Sequence, residues 1–497
     1  MDKNVRRYSV VNEAEDNKDI EQTMGRGLGT IRLTAFAIGS TLAAGVFSLS
    51  GDMAAEGANT GAVLVGWLIT GIGMFGLMMC FYELNRVRPD LTSGIFSYAR
   101  EGFGEYIGFN AAWGYWISAM LANVAFAAFL FSSIGFFFPV FGEGNNWPSM
   151  ICASIIIWFT VVLVLRGVGQ AASINLIVVI AKVLPILVLI VAIVMARGFH
   201  WSIFTENFTG DGTMTFFEQV RSTIFTTVWV FIGIEGAVVI SGRGKDTKTA
   251  GRATVIAFMS LLALYLTISI LSMGVLTTEQ LAELGNPPMA GVLEAVVGHW
   301  GAVLVNIAVI ISVGGAMYTY TMLSAESSFA PGAKKLFPKI FTKENKNGAP
   351  MGSLIISTAV VQIFLIIVVF SEGTFQIVYF ISGSMIMLPY FLSGLFYLKL
   401  RLKGEGVDKD VNNKGMTWVY AAIGTLYGLW LLYASGIDYI LTMAFLYAPG
   451  VFVYIFAKKQ NGLNPFAKKL DLAVLIVILV LAVLSIILLA NGTIHVL

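Results

Sequence analysis

Residues 225–242 read FTTVWVFIGIEGAVVISG, an apolar stretch long enough to cross a bilayer. Gly233 and Gly236 interrupt it, and Glu235 lies between them near its middle. A glycine inside a helix costs about 1 kcal/mol. A carboxylate at membrane depth costs roughly a few kcal/mol more, so such groups are rare and usually functional. A local opening of the helix accounts for both features, because backbone freed from the helical ladder is tolerated at that depth only where it lines a cavity. Roughly 190 residues earlier, residues 38–47 read IGSTLAAGVF, a second apolar stretch interrupted by Gly39 and Gly45. Two glycine-interrupted spans at corresponding positions of two halves point to a central binding site between them.

Of the 497 residues, 57% are hydrophobic and 12% charged, against about 25% charged in soluble domains. The chain is therefore expected to be an all-α integral membrane protein. Apolar segments of membrane length number thirteen: roughly 31–50, 61–84, 107–138, 149–166, 171–196, 217–242, 251–276, 300–328, 351–371, 374–399, 416–436, 437–457 and 470–491. Lys and Arg crowd alternate loops, as in Arg243 to Arg252, Lys334 to Lys346 and Lys458 to Lys469, whereas the opposite loops carry only Arg197 and Arg221. The positive-inside rule then places the N-terminus in the cytoplasm and, with thirteen spans, the C-terminus outside. The polar N-terminal segment does not read as a signal peptide, so the first span is expected to be retained.

Spans 1–5 and 6–10 each begin with a glycine-interrupted helix, and five is odd, so the two halves run in opposite orientations. The expected organisation is a cytoplasmic segment 1–27, a first repeat 28–200, a second, inverted repeat 201–403, and additional C-terminal helices over 404–497. Cys80 and Cys152 lie in apolar spans with no Cys/His cluster, so neither a disulfide framework nor a metal site is expected, and no cofactor is implied. A channel would need a ring of repeated pore residues, an enzyme a catalytic set, and a nutrient sensor a large soluble domain. None of these is visible. No basic stripe points to nucleic acid.

A helix break at 41–45 would present backbone N–H groups from the following half-helix, which suit a carboxylate. A break at 229–236 would present carbonyls that suit an ammonium. Together they form a receptor for the zwitterionic head of an α-amino acid. Small residues that merely allow close helix packing are the competing explanation. Glu235 is a candidate proton-sensing switch, or a neutral structural carboxyl bonded to backbone. Lys182 is the only Lys or Arg deep in a span, one turn before Pro185. It is read as a fixed charge where sodium-coupled relatives hold an ion, as a proton carrier, or as a structural partner. Asn123 is a lone amide on the aromatic-rich third span. Trp229 and Tyr320 are candidates to stack on a cationic side chain, though most aromatic residues here pack or face lipid.

The segments IGSTLAAGVFSL (38–49), SGIFSYAREGFGEYIGFNAAWGYW (93–116), VWVFIGIEGA (228–237) and NKNGAPMGSLI (345–355), in this order and topology, make the chain resemble the amino acid–polyamine–organocation superfamily, in its basic amino acid/polyamine antiporter branch. The run at 234–255 is most similar to that of arginine–ornithine exchangers. The resemblance implies a LeuT-type 5+5 inverted repeat, alternating access and sodium-independent exchange of cationic amino acids, most simply arginine for ornithine. Amino acid/decarboxylation-product exchange (histidine/histamine, lysine/cadaverine) and proton-coupled import are the alternatives. It places the substrate carboxylate at Ala44 and Gly45, with Ala44 standing where relatives carry a small hydroxyl. Amine-binding carbonyls map to Thr41, Trp229 and Ile232. Tyr320 stands at a stacking tryptophan, Asn123 at a substrate-proximal amide, and Ser118 and Ala119 at its small neighbours. Tyr115 matches an extracellular gate, Glu235 the family's proton-sensing glutamate, Lys182 a lysine of several proton-dependent relatives, and Ser382 a further binding position. The expected partners are small amino acids and membrane lipid in the cytoplasmic membrane. A homodimer is left open.

Overall fold

The computed structural model describes residues 30, 34, 38, 41–91, 95–166, 172–206, 208–210, 212–234, 247–371, 375–407 and 414–491. Among them there is no strand, and nine helices are long and apolar enough to cross a membrane. The first span reappears beyond its break as α1 (Leu49–Ala55). It is followed by α2 (Thr60–Val87), α3 (Ile95–Phe103), α4 (Glu105–Gly135), α5 (Trp147–Leu165) and α6 (Ala172–Met195). The sixth span is divided into α7 (Phe216–Ser222) and α8 (Ile224–Trp229). Then come α9 (Thr247–Val275), α10 (His299–Ala333), α11 (Met351–Ser371), α12 (Phe375–Leu402), α13 (Lys414–Gln460) and α14 (Lys469–Ala490). Shorter helices at Trp201–Glu206, Thr278–Ala282 and Pro288–Val297 fill connections.

α13 is two helices in one. Gly436 has φ 82° and ψ 167°, a conformation that a residue with a Cβ adopts only at a cost. The break coincides with the boundary expected between residues 436 and 437. Pro185, by contrast, does not end α6, which continues to Met195.

α4 is the central post. Its membrane-length window is 94% buried, because α10 and α12 pack along it and α13 crosses its flank. Its aromatic donors are satisfied inside the bundle: Trp116 Nε1 donates to Ser357 Oγ at 2.8 Å and Trp113 Nε1 to the Leu446 carbonyl at 2.9 Å, as buried indoles require. Where α2, α12 and α13 meet, small residues bring backbones together. A Cβ on Gly394 would lie 3.0 Å from the Gly424 carbonyl, the close approach that supports helix association in lipid. α14 sits at the other extreme. Only 11% of its window is buried, and Leu472, Ile476, Val480 and Val483 point outward. Such a surface is stable against acyl chains and costly in water.

One end of the bundle is tied by charge. Arg100 of α3 donates through Nε to Glu105 Oε1 at 2.8 Å, and Lys458 of α13 binds the same carboxylate at Oε2. This is the end that the loop charges assign to the cytoplasm.

Candidate functional site

The first span ends its helix at Thr41, and Leu42 and Ala43 are not helical. Residues Ala44–Phe47 form a tight 3-10 turn before α1 begins. Ala43 precedes that turn with φ −120° and ψ −149° and gives it no side-chain cap. An uncapped N-terminus keeps its N–H groups for another acceptor. At its far side the Gly45 carbonyl accepts from both Ser48 N and Ser48 Oγ, each at 3.2 Å. Leu42 and Ala43 are good helix formers by themselves, so the loss of helix at 42–43 is not a matter of local propensity.

The sixth span opens in the same register. α8 stops at Trp229, residues 230–233 turn, and Gly233 takes φ 102°. The Val230 carbonyl leaves the helical ladder and accepts from Tyr265 Oη at 3.0 Å, while the Trp229 carbonyl accepts from Ile232 N at 3.2 Å. Gly39, Glu235 and Gly236 lie outside the described residues, so the geometry there stops at Ile234.

The two openings touch. A Cβ built on Gly45 would lie 2.6 Å from Trp229 Cδ1 and 2.8 Å from Val230 Cγ1. What glycine makes room for in this conformation is the indole of the other broken span.

Around that junction the rings form a continuous wall. Tyr379 of α12 lies 5.2 Å from Trp229, Trp229 lies 5.8 Å from Phe126, and Phe126 meets Tyr320 edge-on at 4.9 Å and 89°. Phe126 is one turn beyond Asn123 on α4, so the two share a face. Asn123 is buried, and its Oδ1 finds no hydrogen-bond partner among the described residues, an arrangement that costs free energy until an N–H arrives. Ser118 and Ser382 join α4 to α12: Ser382 Oγ donates to the Ser118 carbonyl at 2.7 Å, and the two hydroxyls lie 3.3 Å apart. Thr41, Ala44 and Ile232 are buried at the same breaks, and Ala119 is buried on α4.

Two residues stand apart from this wall. Lys182 is buried on α6. Tyr115 is half-buried and lies two turns from Asn123 toward the Glu105 end of α4, the end tied by Arg100 and Lys458.

Nothing in the sequence marks Phe126, Thr226, Gln376, Tyr379 or Asp52 as neighbours of this junction. Asp52 lies just past residue 50, the expected end of the first span, yet it continues α1, seven residues and two helical turns beyond Gly45. The other four look like ordinary packing or polar residues in a sequence this rich in aromatics.

A family model described as amino acid permease matches residues 28–438. The chain is 43% identical over 439 residues to the arginine/ornithine antiporter of Pseudomonas aeruginosa, covering 86% of this chain and 90% of that protein. It is 39% identical over 488 residues to the arginine/agmatine antiporter of Chlamydia abortus, with 95% and 98% covered. To the protein of the same name in Chlamydia pneumoniae it is 38% identical over 481 residues, with 95% and 98% covered.

Proposed function

The chain belongs to the amino acid permease family, and from that premise we propose that it exchanges a cationic amino acid for a related one across the cytoplasmic membrane, arginine for ornithine. The observation that carries this reading is the 43% identity to the Pseudomonas arginine/ornithine antiporter across 86% of the chain. The abutting breaks at 42–43 and 230–233 support it chemically. A half-helix N-terminus suits a carboxylate and displaced carbonyls suit an ammonium, so the pair fits an α-amino acid head. The wall of Trp229, Phe126 and Tyr320 offers ring faces to a guanidinium, and Asn123 Oδ1 offers an acceptor to one of its N–H groups.

In this reading the repeats 28–200 and 201–403 are related by a pseudo-twofold axis, in thirteen spans with the N-terminus in the cytoplasm. The substrate alternates between the two faces as the broken spans rock against α4 and α12. A second reading, exchange of arginine for agmatine, is favoured by the Chlamydia relatives, which align over 95% of the chain.

Counterflow decides between them. In proteoliposomes loaded with ornithine, external labelled arginine should accumulate, and empty vesicles should show almost no uptake. Stimulation by internal agmatine but not ornithine would favour the second reading. Uptake independent of any internal substrate would overturn exchange itself.

A further inference from the structure

Asp52 is a buried carboxylate to which nothing so far gives a role. On α1 it accepts from Tyr379 Oη through Oδ2 at 2.8 Å and from Gln376 Nε2 through Oδ1 at 2.9 Å. Tyr379 spends its proton on Asp52, so Thr226 Oγ1, 3.1 Å away, must donate to Tyr379. Every donor in the cluster is neutral. Among the described residues Asp52 has no cationic partner, and the acid nearest in sequence, Glu56, lies one turn on and within its electrostatic reach. Buried carboxylates are paired with a cation, neutralised by a proton, or expensive.

The position shows which cation the geometry could serve. Ser48, Asp52 and Glu56 recur every four residues and so share one face of α1 and its flanks. Ser48 leans back on the Gly45 carbonyl at the inner end of that face. Gly45 to Asp52 is about 10 Å along a helix. Glu56 and Gln376, at the other end, are half-exposed. Glu56 and Asp438 both lie within electrostatic reach of Tyr439, and the Arg221 guanidinium approaches the same segment at Gly436, so two acids and one base flank this end of the face. Tyr379 connects the two regions, with its hydroxyl on Asp52 and its ring against Trp229.

We propose that Asp52 is a specificity-determining residue that receives the cationic side chain of the substrate on its way between the outer surface and the Gly45–Trp229 junction. The assignment rests on the reading of the protein as an exchanger of cationic amino acids. Tyr379, Thr226 and Gln376 hold the carboxylate in place when no substrate is there. A neutral side chain of the same shape finds the same contacts without the charge attraction, so Asp52 selects by charge and not by size.

The test uses arginine and citrulline, which are nearly isosteric and differ in side-chain charge. Counterflow into ornithine-loaded proteoliposomes is measured for the parent, Asp52→Asn, Asp52→Glu and Glu56→Gln. In Asp52→Asn the arginine KM should rise about tenfold, the scale of one charge-assisted contact. The preference for arginine over citrulline should fall by a similar factor, and Asp52→Glu should restore most of it. Glu56→Gln, at a half-exposed position that tolerates change, should lower the preference by about two- to threefold. It keeps the proposal testable if Asp52→Asn does not fold. Equal losses for both substrates, a preference unchanged in Asp52→Asn or Glu56→Gln, or a change confined to the pH profile would overturn the assignment. A parent that exchanges arginine while the variants keep its preference loses only this assignment. A parent that does not exchange arginine loses the proposed function as well.

Discussion

At Gly45 the nearest atoms to an added Cβ belong to the Trp229 indole, at 2.6 Å. The indole cannot retreat freely, because Phe126 and Tyr379 hold it on two sides. Gly45→Val should therefore reduce uptake to about 1% of the parent or less, since a shift near 1 Å in a binding site is costly. The protein should still reach the membrane as a monodisperse species in fluorescence-detected size-exclusion chromatography. Normal uptake kinetics would sink the placement of the site at this junction. In the proposed site Asn123 and Tyr320 face the other end of the substrate. Asn123→Ala and Tyr320→Ala should change the order in which arginine, ornithine, lysine and agmatine compete, with individual ratios moving by about threefold or more. A uniform loss for all four would mean the two residues are structural. Much at this scale was legible in the sequence, because a glycine, an amide or a charge inside an apolar span is conspicuous. Phe126 was not legible, since one phenylalanine among many carries no mark until a ring on each side of it is seen.

Elements were legible where hydropathy and loop charge cooperate. The turn at Gly436 fell at the expected boundary because a glycine there lets two apolar runs part. The short helices Ile95–Phe103 and Pro288–Val297 escaped notice because neither is long enough to show as a span. α3 nevertheless anchors a junction between elements. Its Arg100 and the Lys458 of α13 share Glu105 at the start of α4. Lys458 is almost fully buried, whereas the Glu105 side chain is 42% exposed. Removing the acid leaves a buried ammonium without its carboxylate. The full cost of such a break is discounted here because water reaches Glu105, leaving about 1–2 kcal/mol. Glu105→Gln should lower the melting temperature of the purified protein, and the loss should shrink in Glu105→Gln combined with Lys458→Met. An additive loss in the double variant would show that the two side chains are not coupled.

Across the whole molecule, exchange requires that the two broken spans close one face before opening the other, so any group whose charge differs between those states links transport to protons or ions. Two such groups were singled out in the sequence, Glu235 just past the turn at 230–233 and Lys182 on α6. A fixed ammonium at Lys182 can take the place of a bound sodium ion. Uptake should then be the same in sodium and choline buffers, and Lys182→Ala should depress transport without reordering the substrates. Strict sodium dependence of the parent would refute that role. In the proposed proton-sensing role, Glu235 faces a different competition. A proton neutralises it, and so does an arriving substrate cation, and both cannot do so at once. Exchange by the parent should accordingly vary with pH, and Glu235→Gln, which resembles the neutral acid, should flatten the profile. Lys182 can titrate too, so the profile must be measured for both single variants and for the double variant. If the double variant is no flatter than Glu235→Gln, the pH response belongs to the glutamate. If Glu235→Gln keeps the full profile of the parent, Glu235 is a structural carboxyl, and the coupling must be sought elsewhere in the chain.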